Sequence, residues 1–163
     1  MTTALFIGRF QPFHSAHLND VKKILKSFDK MIIGIGSSQE KRTKKNPFSF
    51  KERKKMIEET LKNLKIKNFK IFPIPDFYND VKWIDYIKKY LPKFDCVYSG
   101  NEWTLKCFRK HGMKTRKIKL EKGTSSTKIR EMIAKNEKWE KIVPKEVCKY
   151  IEEIYLKRKI NSK

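Results

Sequence analysis

Short apolar runs alternate with longer amphipathic segments along most of the chain. The runs have the length of buried strands, and the segments between them repeat apolar residues at the three- and four-residue spacing of helices. The predicted strands are Ala4–Ile7, Met31–Ile35, Phe69–Ile74, Cys96–Ser99 and Arg116–Leu120. The predicted helices between them are His17–Phe28, Phe50–Leu64, Val81–Leu91 and Glu102–His111. Ser49 followed by Glu52 is a capping-box pattern at the start of the second helix, and Asn101 is the predicted cap of the fourth. Strands that alternate with helices of this length predict a parallel sheet joined by helical crossovers.

After the fifth strand the pattern becomes helical. It predicts two further helices, Ser126–Asn136 and Pro144–Lys159, and a proline suits the first turn of the second. We find neither an internal repeat nor a linker long enough to divide the chain. The predicted fold is therefore α/β, with a five-stranded parallel sheet flanked by helices, in a single domain over residues 1–163 whose C-terminal helices cover about residues 126–159.

Composition narrows the classes of protein to consider. The 163 residues, 39% of them hydrophobic, suffice for one domain with a core. The N-terminus lacks the pattern of a signal peptide, and no segment approaches the roughly 20 apolar residues of a membrane span. Three cysteines without a C-x-x-C pair predict neither a disulfide framework nor a cysteine zinc site. We therefore expect a cytoplasmic protein without a membrane anchor.

The net charge of +22 is compatible with three interpretations. It is compatible with a nucleic-acid binder, with a surface that attracts anionic small molecules, and with a general drift of composition. Nucleic-acid modules usually cluster basic residues among aromatic ones, whereas most of the excess here is lysine spread along every predicted helix. The dispersed charge argues against a dedicated nucleic-acid role.

Candidate chemistry gathers where the predicted strands end. Ligands of parallel sheets bind beyond the carboxyl ends of the strands, and a strand that turns into a helix leaves free N–H groups there for anions. His14 and His17 follow the first strand three residues apart, the spacing at which helical side chains share a face. Glycines, hydroxyls, amides and arginines follow the other strands. This edge predicts a nucleotide site.

Several of these segments resemble a known family. His14–His17 resembles the H-x-G-H element of nucleotidylyltransferases, and Ser125–Arg130 resembles the S-[ST]-T-x-[IV]-R element. Gly8–His14 resembles the nicotinamide-nucleotide adenylyltransferases, especially the archaeal type. Further similarities to that type follow in the same order, at Gly34–Gln39, Asn46–Phe48, Val97–Asn101 and Glu137–Trp139. The resemblance covers about residues 3–155 and implies a Rossmann-like nucleotidylyltransferase fold.

The resemblance also implies a reaction. The phosphate of nicotinamide mononucleotide would attack the α-phosphate of ATP, which gives NAD and pyrophosphate. His14, His17 and Arg130 would be the catalytic residues. ATP would contact Gly8, Arg9, Phe10, His14, His17, Gly100, Asn101, Ser126, Thr127 and Arg130. Nicotinamide mononucleotide would contact Ser37, Gln39, Asp76 and Trp83.

The implied cofactor is Mg²⁺ carried by ATP, because the sequence shows no carboxylate cluster that would form a protein metal cage. A homo-oligomer is implied by likeness alone. Imidazole donors at His14 and His17 would bind phosphate oxygens, and any cationic fraction would strengthen that binding.

Some interpretations stay open at this stage. Ala16 replaces the glycine of H-x-G-H and adds a methyl group where a nucleotide would approach. Trp83 is equally compatible with stacking on a pyridine ring and with packing in the core. Arg53 is compatible with binding phosphate and with pairing to the neighbours of Glu52. The alternatives for the function are a related transferase acting on phosphopantetheine or flavin mononucleotide, and a basic nucleic-acid-binding module.

Overall fold

The computed structural model describes residues 1–119 and 123–161. Its strands are β1 (Thr3–Gly8), β2 (Lys30–Ile35), β3 (Phe69–Pro73), β4 (Cys96–Ser99) and β5 (Thr115–Lys117). Its α-helices are α1 (Ser15–Leu25), α2 (Phe50–Asn63), α3 (Asp80–Tyr90), α4 (Glu102–Lys110), α5 (Ser126–Ala134) and α6 (Lys145–Asn161). A short 3₁₀ turn, Glu140–Ile142, precedes α6. None of the helices in the described part of the chain is both long and apolar enough to cross a membrane.

All five strands pair in parallel in the order β3-β2-β1-β4-β5. The predicted α/β fold with a five-stranded parallel sheet is confirmed. The chain starts at the centre of the sheet, builds outward to β3, and then crosses back to β4 on the other side of β1. The order therefore reverses at β1, and a crevice opens at such a point beyond the carboxyl ends of the strands.

Most predicted boundaries differ from the structure by one to three residues, and three of the differences have a clear basis. Helix α1 begins at Ser15 rather than His17, because the side chain of His14 caps the helix directly before Ser15. The apolar pattern becomes evident only two residues after that start. Strand β5 is only three residues long, and Leu120, the predicted end of that strand, lies outside the described residues. Helix α6 begins one residue after Pro144.

Each face of the sheet carries its own hydrophobic core. Helices α3 and α4 cover one face, where Ile84 and Phe108 pack against Leu5 and Val97. Helices α1, α2, α5 and α6 contribute to the core on the other face. Both faces of the central strands are therefore buried. This explains why the sequences of β1 and β2 are continuously apolar and do not alternate between apolar and polar residues.

Two polar devices fix the start of α2. Ser49 caps the helix and Glu52 bonds back to the N–H of Ser49 at 2.8 Å, so the capping box evident in the sequence is confirmed. The buried side chain of Gln11 donates to the carbonyl of Phe48 at 2.8 Å and accepts from its N–H at 3.0 Å. This amide pairs with the backbone as a neighbouring strand would, and it attaches the loop after β1 to the segment before α2.

Helix α6 packs against α2 through buried aliphatic side chains, among them Ile151, which has no exposed surface. We expect Ile151→Ala to lower the free energy of unfolding by about 2–5 kcal/mol, because it removes apolar contact and leaves a cavity. Leu156→Ala in the same helix is the matched control, since Leu156 is 61% exposed and its loss should cost less than about 0.5 kcal/mol. Urea denaturation of both variants measures the difference. Equal effects would contradict the packing of α6 on the core.

Candidate active site

A pocket of about 460 Å³ opens at the carboxyl edge of the sheet, where the strand order reverses. Six residues predicted to contact ATP line it: Gly8, Arg9, His14, His17, Gly100 and Asn101. Three residues predicted to contact the mononucleotide line it as well: Ser37, Asp76 and Trp83. The structure therefore brings together segments that lie almost a hundred positions apart in the chain.

Two other predicted residues support the pocket from behind. The side chain of Phe10 is buried in the core beneath Gly8, so only its backbone is available to a ligand. Gln39 donates to the carboxylate of Asp76 at 3.0 Å and accepts from the N–H of Asp76 at 3.1 Å. Gln39 thereby holds Asp76 in place at the pocket.

The predicted residues of α5 lie beside the pocket and contact the loop that leads to α1. The Ser126 hydroxyl donates to the carbonyl of Pro12 at 3.0 Å. Arg130 donates to the carbonyl of Gln11 at 2.8 Å and to the hydroxyl of Thr127 at 3.2 Å. Burial and the nearby charge of Arg9 lower the pKa of Arg130. Two guanidinium groups are thus close enough to influence each other at this edge.

His14 and His17 cap the start of α1 reciprocally. The N–H of His17 donates to Nδ1 of His14 at 3.4 Å, and the N–H of His14 donates to Nδ1 of His17 at 3.3 Å. The rings stack with centroids 3.6 Å apart and planes 17° apart. A nitrogen that accepts carries no hydrogen, so in both neutral rings the hydrogen is on Nε2. Each ring is then a hydrogen-bond donor.

Both imidazoles are neutral near pH 7. Burial lowers the pKa of His14 to about 4. Burial lowers the pKa of His17 well below its ordinary value, and the charge that His14 would carry lowers it further. His17 also packs against the rings of Phe10 and Phe13, with centroids 4.9 and 5.6 Å away. The histidines therefore carry little cationic fraction near pH 7, because an apolar setting disfavours the charged form.

Arg53 organises the pocket through backbone contacts that the sequence did not indicate. Its guanidinium has no exposed surface and donates to the carbonyls of Arg9 at 2.7 Å, Gly36 at 2.8 Å and Ser37 at 3.0 Å. Burial lowers its pKa to about 10. It thus joins the loop after β1 to the loop after β2, whereas Glu52 pairs with Arg42. No local pattern reports such contacts, because all three acceptors are backbone atoms distant in sequence.

Asn101 and Ala16 complete the frame of the pocket. The side-chain oxygen of Asn101, Oδ1, accepts from the N–H of Thr104 at 3.2 Å, which confirms the predicted cap of α4. Ala16, in the first turn of α1, lines the pocket and is almost fully buried. Its methyl group therefore occupies space in the pocket wall that a glycine would leave free.

Comparison with known proteins agrees with this geometry. Residues 5–142 match the cytidylyltransferase-like family. A nicotinamide-nucleotide adenylyltransferase of Methanococcus aeolicus is 43% identical over 93% of this chain and 88% of its own length. That of Saccharolobus solfataricus is 41% identical over 94% of this chain and 92% of its own. The chain belongs to the archaeal-type nicotinamide-nucleotide adenylyltransferase family.

Solved structures support the same fold for this family member. A bifunctional NMN adenylyltransferase/ADP ribose pyrophosphatase from Francisella tularensis, complexed with AMP and a manganese ion, is 28% identical with a TM-score of 0.74. The match covers 87% of this chain but only 44% of that one, so this chain spans less than half of the bifunctional protein. A putative nicotinate-nucleotide adenylyltransferase from Vibrio parahaemolyticus, 17% identical with a TM-score of 0.64, supports the fold alone.

The buried histidines predict a dependence of stability on pH. Between about pH 6.5 and 4 the unfolded chain binds a proton at His14 that the folded protein does not, so stability falls as the pH is lowered. The loss from His14 should be on the order of 3 kcal/mol. Urea denaturation of the ligand-free protein at several pH values measures it.

The control for this prediction is the double variant His14→Asn, His17→Asn. An asparagine oxygen can accept the capping N–H but does not titrate. The free energy of unfolding of the double variant should therefore change less between pH 6.5 and 5 than that of the wild type. Parallel curves for the two proteins would show that carboxylates alone cause the loss.

Proposed function

We propose that this protein transfers the AMP moiety of ATP to nicotinamide mononucleotide, which yields NAD and pyrophosphate. The observation that carries the proposal is the stacked His14–His17 pair, whose neutral rings are donors at the edge of a pocket beside a helix N-terminus. The names of relatives about 40% identical over most of the chain support nicotinamide mononucleotide as the acceptor.

The reaction does not require a strong general base from the protein. The attacking phosphate is already ionised near neutral pH, so catalysis consists of aligning two polyanions and stabilising the charge that develops between them. The Nε2–H groups of His14 and His17 would donate to oxygens of the reacting phosphate. Since both rings are neutral, they bind an anion by hydrogen bonds whose geometry is set before the substrate arrives. The N-terminus of α1 adds a favourable dipole.

Arginines and small residues would bind ATP on either side of these histidines. Arg9 lines the pocket, and Arg130 still has N–H donors left after its contacts with Gln11 and Thr127. Gly100 and Asn101 leave room for the adenosine, and Ser126 and Thr127 would contact the phosphates from the start of α5. The contribution of Phe10 would come from its backbone, since its side chain is buried.

The mononucleotide would lie over the ends of β2 and β3. Ser37 and Asp76 line this part of the pocket, with Gln39 holding Asp76, and Trp83 borders it from α3. ATP would enter with a divalent ion, for which we expect Mg²⁺; the solved structure from Francisella tularensis contains AMP and a manganese ion. A single domain, a cytoplasmic location and a homo-oligomer stay predictions; size-exclusion chromatography with light scattering tests the last of these.

The decisive assay is pyrophosphate release from MgATP with a panel of phosphorylated acceptors. We expect turnover with nicotinamide mononucleotide to exceed that with phosphopantetheine or flavin mononucleotide by at least about 100-fold in kcat/KM, since the relatives are named for the pyridine nucleotide. Formation of NAD is measured in parallel by a coupled dehydrogenase. Preference for another acceptor would replace the proposed substrate, and salt-sensitive DNA binding without pyrophosphate release would favour the nucleic-acid module.

The role of His17 can be separated from its capping contact with two substitutions. In His17→Asn the side-chain oxygen can replace Nδ1 as the cap acceptor, but the Nε2–H donor is lost. In His17→Ala both the cap acceptor and the Nε2–H donor are lost. We expect kcat to fall about 100-fold or more in His17→Asn with little change in thermal stability.

The matched variant isolates the contribution of the cap. His17→Ala should be less stable than His17→Asn, because it loses both the cap acceptor and the ring packing against Phe10 and Phe13, while its kcat should fall to a similar level. Stopped-flow or single-turnover kinetics isolate the chemical step. A turnover of His17→Asn close to that of the wild type would show that His17 does not contribute to the chemical step.

A further inference from the structure

Two residues at the carboxyl edge of the sheet have a backbone conformation that most side chains disfavour. Phe10 has a φ of 50° and Ser37 has a φ of 47°, both in the left-handed region. Phe10 lies two residues after β1 ends at Gly8, and Ser37 lies two residues after β2 ends at Ile35. Residues other than glycine keep such conformations only where the surrounding structure imposes them, and they concentrate at functional sites. The contacts that impose this conformation are therefore candidates for a role in function.

The other positive φ values of non-glycine residues occur in different settings. Lys65 follows the C-cap of α2 and Asn136 follows the C-cap of α5, where a left-handed residue commonly ends a helix. In the described ranges the remaining two, Arg42 and Tyr78, lie in loops and do not line the pocket. The pair that follows β1 and β2 therefore needs another cause.

One buried side chain holds the peptide units of both residues. The φ angle of a residue sets the orientation of the peptide bond before it, so the carbonyls concerned are those of Arg9 and Gly36. Nη1 of Arg53 donates to these two carbonyls, at 2.7 and 2.8 Å. Nη2 donates to the carbonyl of Ser37 at 3.0 Å, and Nε donates to that of Ser49 at 3.3 Å. All three nitrogens of one planar fork thus fix the two loops to the start of α2.

The packing of Phe10 supports the same conformation from its other end. Its ring lies beneath Gly8, where an added Cβ would come within 2.9 Å of it. The ring also packs against the ring of His17, with centroids 4.9 Å apart. The anchored ring and the guanidinium of Arg53 therefore hold the peptide unit between Arg9 and Phe10 in one orientation.

The orientation of these peptide units decides where their N–H groups point. In a trans peptide bond the N–H points in the opposite direction from the carbonyl. Since the carbonyls of Arg9 and Gly36 point to Arg53, the N–H groups of Phe10 and Ser37 point away from it. Neither N–H has a hydrogen-bond acceptor within residues 1–119 and 123–161. Two oriented backbone donors at the ends of neighbouring strands suit the oxygens of an anionic ligand.

We propose that Arg53 is a positioning residue for the transfer reaction: it keeps these two peptide units oriented so that the N–H groups of Phe10 and Ser37 donate to oxygens of the substrates. The peptide units belong to the pocket wall, which Arg9, Gly36 and Ser37 line. The inference rests on the proposed function, which puts ATP over the end of β1 and nicotinamide mononucleotide over the end of β2. Because one guanidinium fixes both loops, it also fixes the distance between the two substrates, on which alignment for transfer depends.

Replacement by lysine tests the role of the fork. Arg53→Lys keeps the positive charge, but a single ammonium nitrogen cannot occupy the places of Nε, Nη1 and Nη2. We expect kcat/KM to fall about 100-fold, with a higher KM for both substrates, because a displacement of about 1 Å at the reacting groups has an effect of that size. A change in KM for one substrate alone, or kinetic constants equal to those of the wild type, would overturn the proposal.

Ile151→Ala is the control for a loss of stability. It removes a buried side chain of α6 and touches neither loop. At a temperature where circular dichroism shows both variants folded, the kinetic constants of Ile151→Ala should stay within about twofold of the wild type. An equal kinetic response of the two variants would show that Arg53 only stabilises the fold.

Ser37 offers a test in which the strain itself is changed. Ser37→Gly and Ser37→Ala both remove the hydroxyl, but only glycine adopts a positive φ without steric cost. With Arg53 present, the two variants should have KM values for the mononucleotide within about twofold of each other. Combined with Arg53→Lys, the glycine variant should have the lower KM, by about fivefold, because alanine then leaves the left-handed conformation. The same ratio in both backgrounds would overturn the proposal.

Amide NMR on the wild type tests the donors directly and needs neither a variant nor turnover. The N–H signal of Phe10 should move downfield on addition of MgATP alone, and that of Ser37 on addition of nicotinamide mononucleotide alone, since a hydrogen bond to oxygen deshields the proton. The N–H of Gly36 is the matched reference, because it already donates to the carbonyl of Gly8 at 2.9 Å and should move less. An unchanged signal of either Phe10 or Ser37 in the saturated complex would overturn the proposal.

The tests separate this inference from the proposed function. Downfield shifts at Phe10 and Ser37 that Arg53→Lys abolishes, in a protein that releases no pyrophosphate, would support the positioning of the donors and reject the enzyme. Pyrophosphate release by Arg53→Lys at the wild-type kcat/KM would reject the positioning and retain the enzyme.

Discussion

The pocket depends on the need to satisfy backbone polar groups where two parallel strands end. Loops that leave β1 and β2 side by side carry carbonyls and N–H groups that the sheet ladder cannot pair, and burying them unpaired would be costly. Arg53 accommodates three of these carbonyls with one buried guanidinium, and Gln11 pairs with the backbone of Phe48. The same need at the start of α1 is met by the imidazoles of His14 and His17. Structural contacts of the backbone thereby orient the groups that line the pocket.

The use of two stacked, buried imidazoles as helix caps has an electrostatic consequence. Two cationic rings 3.6 Å apart would repel each other, and burial opposes charging either one, so the histidines contribute neutral donors. Positive charge is supplied by arginines, which keep their protons when partly buried. Arg9 and Arg130 lie at the pocket edge, and Arg53 lies beneath it with only neutral carbonyls as hydrogen-bond acceptors. The wider excess of lysine, part of the net charge of +22, adds a field that attracts polyanions.

The two tryptophans at the pocket differ in burial. Helices α3 and α4 each place a tryptophan near the carboxyl edge of the sheet, one in the core and one at the surface. Trp83 is buried because it fills the space between Trp103 and Phe108. Sequence periodicity marks both positions as aromatic residues in early helical turns but does not distinguish their burial, since that depends on which helix lies opposite.

Local pattern was sufficient for the elements of the fold, the caps at Ser49 and Asn101 and the strand ends that carry the pocket residues, because hydrophobic period and capping are properties of neighbouring positions. The H-x-x-H spacing likewise placed two imidazoles at one helix start. Only the tertiary structure decided their neutral state, the different burial of Trp83 and Trp103, and the central place of Arg53. These depend on burial and on contacts such as Arg53 with Arg9, 44 positions apart, and Arg130 with Gln11, 119 positions apart. Such contacts exist only once the sheet has brought distant loops to one edge.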